Sequence, residues 1–482
     1  MGSYKLQFIL CLSALLFTCC DHSLKWETVI KASGTYSSPR AIDLNGDGIK
    51  DIVLGAGGRR EWESSENGVL AFNGRDGSIL WKKDCRNQLV GSPIFHDITG
   101  DDIPDVFIGG RSAQFMALNG ATGQLIWEYL PTVEGFDFSK DTTILNFFSP
   151  QFVSDQDQDE TPDLIVSYGG YVEAKPSDYD RPTGYLMIFS TRTGEVLTRV
   201  SMPDTKETYI SPVVWMRDNQ EHVLFGTGGE TIAGNLYVTA IEDLMDGNID
   251  QYEILVRGEY KGFIAPPVLV DINKDQNADI IVNAYEGMVY ALDGQSLKPV
   301  WAVNLGLEYE SHSQPAIGDF TGDPTPDLFV NYGMGAWPNI TGAVQVIIDG
   351  HSGVSSVIDS VGYLQYASPI AVEKNDKVPG KILMPINDLT PTNYSIESGK
   401  PPYAYQNILY LFDPRTKMKE VVYSNPGTNT GSTLLIDDLN NDGSTELIYV
   451  YNLNPFDAFE HNGFVISCET MDYNTRGWNQ YM

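Results

Sequence analysis

The chain of 482 residues carries 64 acidic against 31 basic side chains, a formal net charge of −33, and 42% of it is hydrophobic. So much apolar residue in so long a chain excludes a disordered polymer, and a surface this acidic repels phosphates, which argues against nucleic acid as a partner. The 46 glycines, 26 prolines and 26 tyrosines, without long helical periodicity, predict many short strands joined by turns.

Residues 1–18 read as a targeting segment: Lys5 supplies the positive start and Leu6 to Phe17 an apolar stretch too short to span a bilayer well. Leu16-Phe17-Thr18-Cys19 resembles a bacterial lipoprotein cleavage box, which implies a lipid on Cys19, or on Cys20 in the alternative frame. An ordinary cleaved signal is the competing reading. Both export the protein, to the outer membrane or cell surface or to the periplasm, with membrane contact through the lipid alone. Residues 19–482 then form one domain. Within it Cys85 and Cys468 are too few for a disulfide scaffold.

From Ser38 onward a unit recurs that begins Ser-Pro, runs through an apolar strand and enters an acidic loop. Its first copy is Ser38-Pro39 through Asp43-Leu44-Asn45-Gly46-Asp47-Gly48-Ile49-Lys50-Asp51, followed by Ile52-Val53-Leu54-Gly55. Further copies start at Ser92, Ser149, Ser211, Pro266, Gln314, Ser368 and Ser432; those at Ser211 and Ser368 lack the acidic loop. A third strand and a tight turn follow, as in Val69-Leu70-Ala71-Phe72-Asn73-Gly74 leading to Gly77 and Trp81, and again in Met116 to Trp127 and Val289 to Trp301. Four short strands repeated eight times predict an all-β, eight-bladed β-propeller with the acidic loops between the first two strands of most blades. A solenoid is the alternative, but it needs atypical capping repeats. Leu24 to Glu27 instead reads as an outer strand that completes the last blade and closes the ring, with Phe464 to Ser467 competing for a neighbouring position.

The Asp-x-Asn-x-Asp-Gly-x-x-Asp loop followed by an apolar strand resembles the FG-GAP or VCBS repeat of integrin α-subunit propellers and bacterial surface proteins. The Asn-Gly-x-x-Gly-x-Ile-x-Trp pattern resembles the PQQ-like repeat of quinoprotein and outer-membrane-assembly propellers. These resemblances imply fold and calcium and say little about substrate, because propellers host many unrelated functions.

Oxygen-bearing side chains at loop positions 1, 3, 5 and 9 suit calcium, which takes six to eight oxygens. The candidate ligand sets are Asp43, Asn45, Asp47 and Asp51; Asp97, Thr99, Asp101 and Asp105; Asp155, Asp157, Asp159 and Asp163; Asp271, Asn273, Asp275 and Asp279; Asp319, Thr321, Asp323 and Asp327; and Asp438, Asn440, Asp442 and Glu446. Up to six structural Ca2+ ions are expected, more weakly held where threonine occupies position 3. An EF-hand needs a carboxylate at position 12, where Leu54, Ile108, Val166, Val282, Val330 and Tyr449 stand instead, so that reading is rejected.

Function is expected on the opposite face, in the connections that differ in length and content: Arg59 to Trp62, Tyr171 to Arg181, Tyr332 to Trp337, Pro385 to Gln406 and Phe456 to His461. Exposed aromatic planes there suit sugar rings or protein hot spots, and arginine forks suit carboxylates, which makes Arg59, Trp62, Arg111 and Trp337 the candidate ligand-binding residues. Arg60 and Arg181 share that face with Arg59 and Arg111, and for all four arginines solvated surface charge is the competing reading. The expected role is a binding or assembly module for a glycan or an extracellular or periplasmic protein. The alternative is a polysaccharide lyase on a uronate-containing glycan, with His312, His461 and Tyr309 as acid or base. Its architecture resembles the eight-bladed rhamnogalacturonan lyases, but no catalytic motif of that family matches any residue here.

Overall fold

The computed structural model describes residues 23–131 and 144–473, apart from short stretches at 172–173, 176, 248, 250, 324, 364–365, 374–379 and 393–400. The targeting segment with Cys19 and Cys20 lies outside the described residues, as do parts of the connections expected after Tyr171 and Pro385.

Eight antiparallel sheets are each built on a four-stranded meander. Blade 1 comprises Arg40–Ile42, Asp51–Gly55, Ser65–Phe72 and Ile79–Cys85, and the pattern repeats to blade 7, which ends with Met418–Pro426. Blade 8 takes Leu435–Asp437, Thr445–Asn452 and Gly463–Met471 from the end of the chain and Ser23–Lys31 from its beginning. The N-terminal strand therefore closes the ring as its sequence suggests, and Phe464 to Ser467 lies beside it in the same blade. Second strands such as Asp51–Gly55 are buried throughout. They face a neighbouring sheet on each side: Ile52 and Leu54 join the apolar layer shared with blade 8, and Val53 the layer shared with blade 2. Such strands read as continuous apolar runs because neither face meets water.

Tryptophans on outer strands stitch neighbouring blades together. The indole Nε1–H of Trp26 donates to the Gly74 carbonyl, that of Trp81 to Gly120, that of Trp127 to Thr191 and that of Trp301 to Gly350, at 2.7–2.9 Å. Each acceptor lies in the turn between the third and fourth strands of the next blade. These turns explain the recurrent Asn-Gly pattern, because a Cβ on Gly120 would stand 2.0 Å from the Pro104 carbonyl oxygen.

Two expected loops are strands. Asp327–Ala336 pairs with Asn339–Ile348, and Lys381–Pro391 with Tyr403–Asp413, so Tyr332 to Ala336 and the two ends of Pro385 to Gln406, residues 385–391 and 403–406, extend blades 6 and 7 as long ribbons. The outer strand ends of the blade 7 ribbon, residues 389–391 and 403–406, lack apolar alternation because they are exposed or half-buried, beyond the packed layers. Tyr332, expected in a binding connection, is fully buried. Among the described residues the one α-helix, Ile241–Met245, has five residues, and no helix is long and apolar enough to cross a membrane.

Candidate functional site

All six acidic loops connect first to second strands on one face. In the first loop the Asp43 carboxylate accepts the Gly46 and Gly48 N–H groups, Asn45 Oδ1 accepts that of Asp47, and Asp47 Oδ1 that of Ile49, at 2.8–2.9 Å. Asp51, at position 9, is fully buried and accepts Leu44 N–H within the loop and Gly74 N–H from the neighbouring turn, both at 3.0 Å. Asp105 and Asp279 make the same pair of contacts with Ile98 and Gly120, and with Ile272 and Gly294. The ninth carboxylate thus pins two hairpins together, a structural role additional to any ligand role. Burial pushes Asp51 and Asp163 up to about 6.

The loops differ in how well they fit a divalent ion. Asp155, Asp157 and Asp159 present carboxylate oxygens within 4.8 Å of one another, a donor set suited to a hard cation. Basic residues offset charge at this loop and at three others: Arg192 pairs with Asp159 at 3.1 Å, Arg75 with Asp47 at 3.3 Å, Arg415 with Asp319 at 2.8 Å, and Lys25 with Glu446. Position 12 of every loop is a buried strand residue, in keeping with the rejection of an EF-hand.

The opposite face holds a funnel on the ring axis. Its mouth, about 390 Å³, is lined by Trp62 from blade 1, Trp337 from blade 6 and Phe459 from blade 8, with Arg60, Glu61, Asp457 and Glu460. A throat of about 230 Å³ shares Glu61, Trp337 and Phe459 with the mouth and adds Arg111, Glu230, Tyr285, His312 and Tyr366. A floor cavity of about 320 Å³ shares Tyr36, Arg111, Ile264, His312 and Tyr366 with the throat. One aromatic wall runs through all three, each ring edge-on to the next: Tyr285 to His312 at 4.7 Å, His312 to Tyr366 at 4.3 Å, Tyr366 to Trp337 at 6.0 Å and Trp337 to Phe459 at 5.6 Å.

Of the candidates from sequence, Trp62 is 57% exposed with its backbone N–H held by Asn87 Oδ1, and Trp337 is half-buried with its N–H held by Glu310. Arg111 pairs with Glu61 at 2.5 Å inside the funnel, whereas Arg59 pairs with Glu460 at 3.0 Å outside its lining. Arg181 is not solvated charge: its side chain is 2% exposed and lies between Glu207 at 3.3 Å and Glu230 at 3.7 Å, also donating to Tyr209. Burial pushes Glu207 up to about 7, since one guanidinium serves two carboxylates. His461 is fully buried and His312 half-buried at the cavity wall, and each meets a tyrosine hydroxyl at 3.2 Å, His312 that of Tyr285 and His461 that of Tyr36. Burial holds them well below the usual imidazole range, at about 3 and about 4, so both are neutral at pH 7. Tyr309 packs on Tyr332 and is absent from the lining of all three cavities.

Most of the axial residues went unread in the sequence, His312 excepted, yet six of the eight repeats place them alike: two positions before the start, Tyr36, Val90, Tyr209, Ile264, His312 and Tyr366 line the floor cavity, whereas Phe147 and Thr430 at the same position do not. The scaffold around this position repeats while the position itself varies, a signal visible in the repeat alignment once the ring axis is known.

The FAM234A/B beta-propeller family matches residues 26–357. Human protein FAM234B is 23% identical over 394 residues, 73% of this chain and 57% of that protein, and the Gallus gallus protein is 23% identical over 362 residues, 67% of this chain and 52% of that protein. The chain thus spans little more than half the length of these relatives. Among solved structures, a europium-containing methanol dehydrogenase superposes with a TM-score of 0.59 at 10% identity over 93% of each chain. The quinohemoprotein alcohol dehydrogenase of Comamonas testosteroni does so at 0.55 and 14%, over 94% of this chain and 77% of its own. At such identities the likeness is one of fold, and it agrees with the PQQ-like strand pattern. With more than half its length matched, the chain belongs to the FAM234A/B beta-propeller family.

Proposed function

We propose that this propeller is an exported, calcium-stabilised binding or assembly module that receives a glycan or an extracellular or periplasmic protein in its axial funnel. The observation that carries the reading is convergence. Trp62, Trp337 and Phe459, far apart in sequence, meet around one mouth, while Arg111, Glu61 and the aromatic wall continue inward. Exposed aromatic anchors around a concave, mostly apolar site are the usual makings of a recognition surface.

Calcium is proposed for the loop of Asp155 first, on its three gathered carboxylates, and for the other five on their shared FG-GAP/VCBS-like spacing. Anchoring through Cys19 or Cys20 is proposed from the lipoprotein-like box. A lyase is the second reading, favoured by His312 in the throat beside Tyr285 and Tyr366.

The test is purified protein on arrays of acidic and neutral polysaccharides and in capture of exported proteins, with absorbance of unsaturated uronate products followed in parallel. Trp62→Ala and Trp337→Ala should weaken binding about tenfold or more, as truncating hot-spot aromatics does. The melting curve of Trp62→Ala should be nearly that of wild type, because that side chain is exposed. Binding indifferent to both substitutions overturns the reading. Product absorbance that His312→Gln abolishes installs the lyase instead.

A further inference from the structure

The floor of the funnel is built differently from its mouth. The starts of six of the eight blades set hydroxyls about the axis; Pro266 and Gln314, which begin blades 5 and 6, carry none. Ser92 N–H donates to Ser149 Oγ at 3.0 Å, Ser149 N–H to Ser211 Oγ at 3.2 Å, and Gln314 N–H to Ser368 Oγ at 3.2 Å. Ser368 N–H then donates to Thr433 Oγ1 at 3.2 Å and Thr433 N–H to Ser38 Oγ at 3.0 Å. Each of these five hydroxyls accepts a backbone N–H, and none of them donates a hydrogen bond to another group among the described residues. Ser92 Oγ has no hydrogen-bond partner among the described residues. All six line the floor cavity.

An O–H that gives no bond within the protein is available to whatever fills the cavity, and each oxygen keeps a second lone pair. The floor is lined by one charged side chain, Arg111, and by no carboxylate. Between the hydroxyls stand the aromatic rings of Tyr36, Phe148, Tyr209 and Tyr366 and the apolar Ile264. A column of water uses the hydroxyls but not the aromatic surface, and an apolar ligand uses the rings but strands the hydroxyls. A pyranose uses both, setting its C–H faces on rings and its hydroxyl edge against donors and acceptors. The volume of about 320 Å³ lies at the small end of ligand sites, which run to about 1,000 Å³.

We propose that the floor cavity binds a single pyranose end-on, as a free monosaccharide or as the terminal residue of a glycan whose remainder passes between Trp62 and Trp337. This deepens the binding-module reading and rests on it. Arg111 reaches both floor and throat, so a uronate is expected to bind more tightly than its neutral counterpart.

Saturation-transfer NMR on the full mature chain tests this with hexoses, N-acetylhexosamines and hexuronates, and with oligosaccharides whose non-reducing or reducing end is blocked. At least one free sugar should receive transfer. Ser92→Ala, which breaks no bond within the protein, should weaken its binding several-fold, and Tyr366→Phe likewise. Ile264→Trp, filling space shared by floor and throat, should abolish it while the melting curve stays cooperative. Blocking one end of an oligosaccharide should remove its binding while blocking the other does not; oligosaccharides that bind with neither free sugar nor end preference overturn the inference, as does silence across the panel. Transfer that persists in Ile264→Trp overturns it too. A protein or glycan still captured by Ile264→Trp through Trp62 and Trp337 leaves the wider binding function standing while the pyranose site falls.

Discussion

His312 and His461 enter the folded ring as neutral imidazoles, and that has a sign. Burial lowers their folded values to about 3 and about 4 from an ordinary 6.5, so below pH 6.5 the unfolded chain binds protons that the folded chain refuses. Stability from this source is complete above pH 6.5 and drains away as pH falls through 6.5 towards 4. Each histidine contributes a slope of up to about 1.4 kcal/mol per pH unit. Between pH 7.5 and 5.0 wild type should therefore lose about 2 kcal/mol more than His312→Gln in urea unfolding. An equal loss in the two proteins would mean that His312 takes its proton in the folded state. Glu207 opposes this trend: its carboxyl, raised to about 7, disfavours folding increasingly as pH rises from 4.5 to 7, so the comparison must be made between variants. None of this was legible in the sequence. Arg181 read as solvated charge and Tyr309 as a catalytic neighbour because burial at a ring axis depends on contacts between distant repeats.

At the scale of the element, the loop and turn of each hairpin pair interlock. Gly120 leaves no room for a side chain under the Pro104 carbonyl, whereas Gly100, in the preceding acidic loop, faces open space and is constrained only by its φ of +75°. Gly120→Ala should cost about 1–3 kcal/mol by overpacking, and Gly100→Ala about 1 kcal/mol through the left-handed backbone alone. Urea midpoints that rank the two the other way would remove the interlock. The acidic loops carry a second expectation. If Asp155, Asp157 and Asp159 hold a cation, chelation lowers the melting temperature by several degrees, and Asp155→Asn with Asp159→Asn removes one bound ion by direct metal analysis while the ring stays folded. Unchanged melting after exhaustive chelation sinks the structural-metal proposal. Loop spacing and the Gly-to-Trp turns were readable because they are local and repeat. The ribbons of blades 6 and 7 were not, since strands such as Tyr403–Asp413 leave the packed layers at their tips and lose the alternation that marks a strand.

For the whole molecule the decisive joint is the seam between blade 8 and blade 1. Ser23–Lys31 pairs with Gly463–Met471 from Ser23 opposite Thr470 to Lys31 opposite Gly463, covering an edge that would otherwise be bare. The same strand grips the next blade, because Trp26 donates to Gly74 and Thr28 Oγ1 to the Gly77 carbonyl at 2.7 Å. On the inner side Lys50 N–H donates to the Leu439 carbonyl at 2.8 Å and Lys50 Nζ pairs with Asp437 at 2.7 Å. Phe464, Ile466 and Cys468 are packed in the apolar layer that Trp26 and Ile30 complete. Removing residues 23–31 from the chain should therefore do three things together: lower the melting temperature by more than 10 °C, since a whole strand and its apolar layer are lost; promote self-association through the freed edge; and open Cys468 to thiol reagents. Cys468 is the sharpest readout, because in the closed ring it is a free, buried thiol pushed up to about 12 and should resist labelling. Trp26→Ala, which keeps the strand but weakens its grip on blade 1, should lie between wild type and deletion in both melting and labelling. A deletion that melts like wild type with Cys468 still protected would mean that the ring is held by blade-to-blade stacking and not by the closing strand.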